Sequence, residues 1–325
     1  MLSIFRTNQA IVSIFLLVYA LILRSAYFFN AFPVDMANDG VLSIWMKNWF
    51  GNSYLVAGII TLLVVFLQAV LLNNLVNKYR LFREVTLIPG LCYILIVSAV
   101  QDFLPLSSIL LGNTFLILAI HNLLSIFKSK KCADGIFNTG LWIGTAALFY
   151  NAFVLFLLLG MIGLLVLRTF KIKELVMLLS GYFLPFIFSS AYFFLDDQFA
   201  DYWQTHFFTQ FGLLDFRWSS SWNNYSKLIV LMLLFAAGLF NRYTFEKSYQ
   251  TRNFINIFYV ALIISGLTFL IQANIQISHF LIIATPLSVL LAASFLGMSK
   301  VAAELIHLLF FMCILLFQFG VITIG

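Results

Sequence analysis

The stretch Gly135–Leu167, GIFNTGLWIGTAALFYNAFVLFLLLGMIGLLVL, decides how this chain is organised. It has 33 residues, nearly all apolar. As one helix it would be about 50 Å long at about 1.5 Å per residue, against about 30 Å of hydrocarbon in a bilayer. Basic residues flank both ends: Lys128, Lys130 and Lys131 before it, Arg168, Lys171 and Lys173 after it. Cationic flanks stay on the cytoplasmic side, so both ends belong to one side and the stretch crosses an even number of times. The polar pair Tyr150-Asn151 marks the turn. Two short helices are predicted.

The rest of the chain has the same character. Its 325 residues are 63% hydrophobic and 9% charged, far from the roughly 45–50% apolar and 25% charged of soluble domains. Runs such as Ile11–Leu23 and Ala152–Leu167 are apolar on nearly every face, which excludes the alternating pattern of a membrane β-barrel. The predicted fold is an all-α polytopic transmembrane helix bundle, a single integral membrane domain over residues 1–325. About 11 helices are expected, near Ala10–Phe29, Ser53–Leu72, Val85–Val100, Ile109–Phe127, Ile136–Phe149, Ala152–Leu167, Leu175–Phe194, Leu228–Phe240, Phe254–Ile271, Phe280–Gly297 and Ala303–Ile324. The first reads as a signal anchor, because it is long enough to span and no soluble domain follows it.

Charge orients the bundle. With this alternation fourteen of the 18 Lys and Arg fall on one side, and only Arg24, Lys47, Arg217 and Lys227 on the other. The N-terminus is therefore expected in the cytoplasm and the C-terminus outside. The net charge of +6 serves this topology and not nucleic acid, since no basic cluster exceeds Lys128, Lys130 and Lys131. Cys92, Cys132 and Cys313 are odd in number and lack metal-ligand spacing, so free thiols are expected.

Chemistry could live in the two longest outer loops, 30–52 and 195–227. In the first, Asn38-Asp39-Gly40 precedes Val41, Leu42, Ile44, Trp45, Trp49 and Phe50, a pattern for a short helix lying at the interface. In the second, Phe199, Tyr202, Trp203, His206, Phe207 and Phe211 form a helical stripe, with Asp197, Asp201 and Gln204 facing away. These loops read either as an aromatic belt alone or as the walls of a site. Asp39 reads as a helix cap or as a functional acid. Arg24, near the outer end of the first helix, either snorkels to the headgroups or faces a polar cavity and binds an acid or a lipid phosphate.

Arg24, Asp35, Asp39 and the interfacial helix after them resemble the opening of the GT-C glycosyltransferase superfamily. These are polytopic enzymes that take a sugar from a polyprenyl-phosphate carrier at the outer membrane face. The short-helix pair with Gly140-Leu141-Trp142-Ile143-Gly144 is similar to that fold's paired middle helices, and the likeness covers roughly residues 10–195. The chain also resembles an uncharacterised family of bacterial inner-membrane proteins of this length. The GT-C resemblance implies that Asp35 or Asp39 acts as base or metal ligand, and that Arg24 and Arg217 hold the carrier phosphate. Asp196, Asp197 and His206 are further substrate-binding candidates. No cofactor is firmly implied; a divalent Mg²⁺ or Mn²⁺ would find oxygen ligands among Asp35, Asp39 and Asp196. The expected partners are membrane lipid, including a polyprenyl-phosphate sugar, and a membrane-protein subunit, in a bacterial inner membrane.

Two other classes stay open. Asp35 and Asp39 are four apart rather than adjacent, and the acidic doublet Asp196-Asp197 follows the seventh helix, so a non-enzymatic subunit of a cell-envelope assembly also fits. A transporter is the third reading, with Arg24 its main intramembrane charge. Among smaller features, Gly140 and Gly144 form a small-xxx-small packing pattern, and Pro185 is expected to kink its helix. His121 and His307 are expected to be hydrogen-bonded within the bundle. His206 and His279 are assigned to the outer side, without metal-binding spacing.

Overall fold

The computed structural model describes residues 2–6, 10–29, 40–50, 53–129, 131–169, 171–204, 232, 249–272 and 276–319. The helices among them are α1 (Leu2–Phe5), α2 (Ala10–Leu23), α3 (Ser25–Phe29), α4 (Val41–Phe50), α5 (Tyr54–Lys78), α6 (Ile88–Val97), α7 (Ser108–Ser125), α8 (Ala133–Phe149), α9 (Leu157–Leu167), α10 (Ile172–Leu195) and α11 (Phe199–Trp203). After the second long outer loop come α12 (Tyr249–Ile271), α13 (Ala284–Gly297) and α14 (Lys300–Gln318). Three 3-10 turns, Gln101–Phe103, Asn151–Phe156 and Ile277–Ile283, precede α7, α9 and α13.

Among the described residues six helical segments are long and apolar enough to cross a membrane: Tyr54–Lys78, Ser108–Ser125, Ile172–Leu195, Tyr249–Ile271, Ile277–Gly297 and Lys300–Gln318. Shorter apolar helices cover Val12–Leu23, Ile88–Val97 and Asn151–Leu167, and α8 adds 17 residues, about 26 Å. The chain is an all-α integral membrane protein. Of the expected run Leu228–Phe240 only Met232, which is buried, is among the described residues.

Local signals set the helix ends. Pro89 stands in the first turn of α6, where its missing N–H costs nothing. Ser107 caps α7 by accepting from the Leu110 amide, and Ser299 caps α14 by accepting from Ala302. At the end of α5, Arg80 takes a left-handed conformation (φ 49°), and the amide of Leu81 returns to the Val76 carbonyl.

Hydrogen bonds between elements mark both ends of the bundle. At the end named inner from its lysines and arginines, the Phe5 carbonyl accepts from the Leu87 amide and the Thr86 hydroxyl. There too Lys78 Nζ meets His121 Nε2 at 3.1 Å, and Arg168 donates to the Ile126 and Ser129 carbonyls. At the outer end, Tyr27 donates to the Tyr54 carbonyl, Gly40 to Phe149, and Gln101 to Phe317 and Gln318. Because Arg168 returns to the loop that precedes α8, the stretch 135–167 folds back on itself, as expected. It turns at Tyr150, which is extended (φ −146°, ψ 123°).

Helix α8 packs on α10 almost backbone to backbone. A Cβ at Gly140 would lie 2.1 Å from the Leu178 carbonyl oxygen, one at Gly144 2.3 Å from that of Tyr182, and one at Gly181 2.1 Å from that of Phe137. Helix α10 continues through Pro185, whose ring lies against Gly144. The three cysteines are free.

Candidate functional site

The outer end of the bundle is assembled from α2–α4, the turn after α6, the end of α8 and the turn before α13. Arg24 sits at the break between α2 and α3, at 2% exposure. Its guanidinium donates to the carbonyls of Val97 (3.1 Å), Phe103 (3.1 Å) and Leu104. The first closes the C-terminal end of α6, whose carbonyls lack partners within the helix, and a cation there also opposes the negative end of the helix dipole. Arg24 therefore points inward as a strut between the first helix and the α6–α7 connection. Asp102 sits on the 3-10 turn between these anchors with its edge open to solvent. Packing around the carboxyl raises its pKa above the usual carboxylate range, and a bond with its own backbone opposes that shift.

Helix α4 lies in the first outer loop, where a short helix was expected. Leu42 and Met46 pack onto a cluster containing Ala57, Leu106, Leu111 and Phe149, whereas Ile44, Trp45 and Trp49 face outward. Trp45 meets Tyr192 of α10 edge to face, with ring centroids 5.1 Å apart. This amphipathic division is the one a helix lying at a membrane interface requires.

In the second outer loop the described part of the stripe divides differently from the expectation. Tyr202 is buried, stacks on Phe193 at 4.7 Å and shares a 2.7 Å hydrogen bond with Ser189. Its phenol pKa is raised by burial, with the serine hydroxyls opposing. Phe199 and Trp203 stay on the outside. Gln204 and Asp201 are exposed, as expected.

Of the residues singled out from sequence, Asp35, Asp39, Arg217 and His206 lie outside the described residues. Asp196 and Asp197 are exposed and end α10: Asp197 takes a left-handed conformation (φ 55°), and the amides of Asp196, Asp197 and Gln198 return to carbonyls of the last turn. Among the described residues neither aspartate meets Arg24, and no three His, Cys, Asp or Glu groups converge as metal ligands.

The interior holds polar groups that the sequence reading missed. Gln68 Nε2 donates to the Leu110 carbonyl and to Thr114, while Tyr93 donates to Gln68 Oε1 at 2.8 Å. Asn113 Nδ2 donates to the Leu281 carbonyl, and the Thr285 hydroxyl donates to Asn113 Oδ1. The signal was present: a lone amide in an apolar run, such as Gln68 or Asn113, needs a partner in hydrocarbon. His307 is hydrogen-bonded to Tyr19 at 3.0 Å and His121 to Lys78, as expected of these histidines. His279, assigned to the outer side, is instead fully buried.

No protein-family model matches the chain, and no curated protein matches it significantly. The structure is similar to the crystal structure of ArnT from Cupriavidus metallidurans bound to undecaprenyl phosphate, with a TM-score of 0.54 at 14% identity. The match covers 89% of this chain and 57% of ArnT, so the chain spans little more than half of that protein's length. At this identity the likeness speaks for the fold alone: over most of its length the chain shares the helical architecture of that membrane protein.

Proposed function

We propose that this protein is a GT-C-like membrane glycosyltransferase, or a relative that keeps the architecture, acting on a polyprenyl-phosphate-linked sugar at the outer face of a bacterial inner membrane. The observation that carries the reading is the match to ArnT, a structure bound to undecaprenyl phosphate, over 89% of this chain. In this reading Asp35 or Asp39 is the base that takes the acceptor's proton, Arg217 faces the carrier phosphate, and Asp196, Asp197 and His206 contribute to the acceptor side. A divalent ion held by Asp35, Asp39 and Asp196 would supply charge neutralisation at the phosphate. Arg24 acts from behind, holding the α6–α7 connection in place.

The test is native mass spectrometry of the purified protein with and without added undecaprenyl phosphate. Retention of the lipid, weakened by Arg217→Ala, supports the reading; absence of any complex at micromolar lipid counts against it. A second reading, a non-enzymatic subunit of an envelope assembly, is favoured by the commitment of the Arg24 guanidinium to main-chain carbonyls. It predicts a stoichiometric protein partner on copurification and no cellular effect of Asp35→Ala or Asp39→Ala.

A further inference from the structure

A hydrogen-bonded chain at the outer end of α8 is not used in the proposed site. The Tyr150 hydroxyl lies 2.9 Å from His279 Nδ1, and His279 Nε2 lies 2.9 Å from Thr268 Oγ1. Thr268 gives its one proton to the Ser265 carbonyl at 2.6 Å, so it accepts from the imidazole. His279 is then the Nε2–H tautomer, and Tyr150 donates to Nδ1. Phe269 packs edge-on against the imidazole with centroids 4.3 Å apart. His279 is wholly buried and Tyr150 is 7% exposed, so neither group can touch a substrate in the outer loops.

One residue before Tyr150, the last carbonyl of α8 accepts two bonds from the first outer loop. The Gly40 amide and the Ser43 hydroxyl both donate to the Phe149 oxygen at 2.9 Å. The approach is tight: a Cβ at Gly40 would lie 2.0 Å from the Leu148 carbonyl oxygen. Tyr150 thus connects two contacts through one extended residue, its side chain held by the turn before α13 and the peptide before it holding the start of α4.

We propose that Tyr150 and His279 are positioning residues that set where the first outer loop enters α4, at Gly40 and Ser43. The inference rests on the transferase reading only in giving the first outer loop a catalytic task; the mechanical coupling stands apart from it. Anchoring the Tyr150 hydroxyl fixes the direction of the Phe149 carbonyl, and that carbonyl is where Gly40 and Ser43 dock.

Hydrogen exchange on the full chain in nanodiscs, read by mass spectrometry, tests this for Tyr150→Phe, His279→Ala and His279→Asn, with Ser43→Ala as the positive control. In Tyr150→Phe and His279→Ala the amides of 40–45 are expected to exchange about tenfold faster, the order for losing one hydrogen bond, with those of α7 unchanged. His279→Asn, which keeps an acceptor near the Nδ1 position, is expected to restore most of the protection. Unchanged exchange at 40–45 in Tyr150→Phe, the mildest variant, overturns the proposal. So does equal acceleration throughout the bundle, because the groups would then serve general stability. If exchange changes as expected but undecaprenyl phosphate neither binds nor protects the wild-type loop, the coupling stands and the transferase reading falls.

Discussion

Replacing Gly181 by alanine tests the architecture at the close crossing of α8 and α10. The new Cβ would stand 2.1 Å from the Phe137 carbonyl oxygen and 3.1 Å from the Leu141 amide nitrogen. Ordinary van der Waals contact for such a pair begins near 3.4 Å, so the helices must part locally by about 1 Å. Both obstacles are main-chain atoms of α8, which cannot rotate aside. Parting two packed surfaces by about 0.5–1 Å forfeits a quarter to a half of each dispersion contact along the crossing, and overpacking of this kind costs about 1–3 kcal/mol. Membrane helices rely on such packing because lipid offers no hydrophobic penalty to separation. Gly266→Ala is the control: a Cβ there meets nothing within 4 Å, and alanine is the better helix former by about 0.8–1 kcal/mol. Thermal unfolding of detergent-purified variants should therefore place Gly181→Ala below wild type and Gly266→Ala at or above it. Equal midpoints for the two variants would refute the close α8–α10 crossing.

Three further outcomes follow from the interior. Arg24→Met leaves the Val97, Phe103 and Leu104 carbonyls without their donor. At about 1–3 kcal/mol per buried carbonyl, partly offset by the desolvation the cation no longer bears, a net loss of about 2 kcal/mol or more is expected. Arg24→Lys should fall between the two in thermal stability, since an ammonium cannot span three carbonyls as a planar fork does. Tyr93→Phe and Gln68→Leu should each cost about 0.5–1.5 kcal/mol, and the double variant less than their sum, as a double-mutant cycle on chemical unfolding would show. Asp102→Asn should leave stability unchanged or slightly raised at neutral pH. The raised carboxyl pKa means that the folded state resists ionisation, so any advantage of asparagine should vanish as pH falls below the unfolded carboxylate range in a pH series of melting curves.

The path of the chain was readable because it depends on one-dimensional quantities. Lysines and arginines at both ends of 135–167, plus a polar pair in the middle, suffice to require a turn at Tyr150. The Gly140–Gly144 spacing signalled close packing, yet its counterpart Gly181 belongs to no motif and is recognised only across the crossing. Arg24 stood out as a charge in a helix, but its partners are carbonyls 73 to 80 positions away. Every residue has a carbonyl, so no residue type betrays them. His279 lies at the outer end beside Tyr150, but its burial was missed because the apolar run was taken to begin at Phe280. The 3-10 turn Ile277–Ile283 carries the buried segment back past it, and a local apolar count cannot register a turn that packs inward.

The capping of helix ends bears directly on what the outer face can receive. Helices α6, α8 and α14 all point their C-termini outward, and each such end carries about half a negative charge on its unpaired carbonyls. Uncapped, they would repel an anionic headgroup. Each instead meets a donor from elsewhere in the chain: Arg24 at Val97, Gly40 and Ser43 at Phe149, and Gln101 at Phe317 and Gln318. Gln318 in turn donates to the Ser98 carbonyl. Of these donors only Arg24 carries charge, and its burial lets that charge act through a low dielectric. The same residue thus closes α6 and offsets the negative ends around it, as the proposed use of a phosphate-bearing lipid would require.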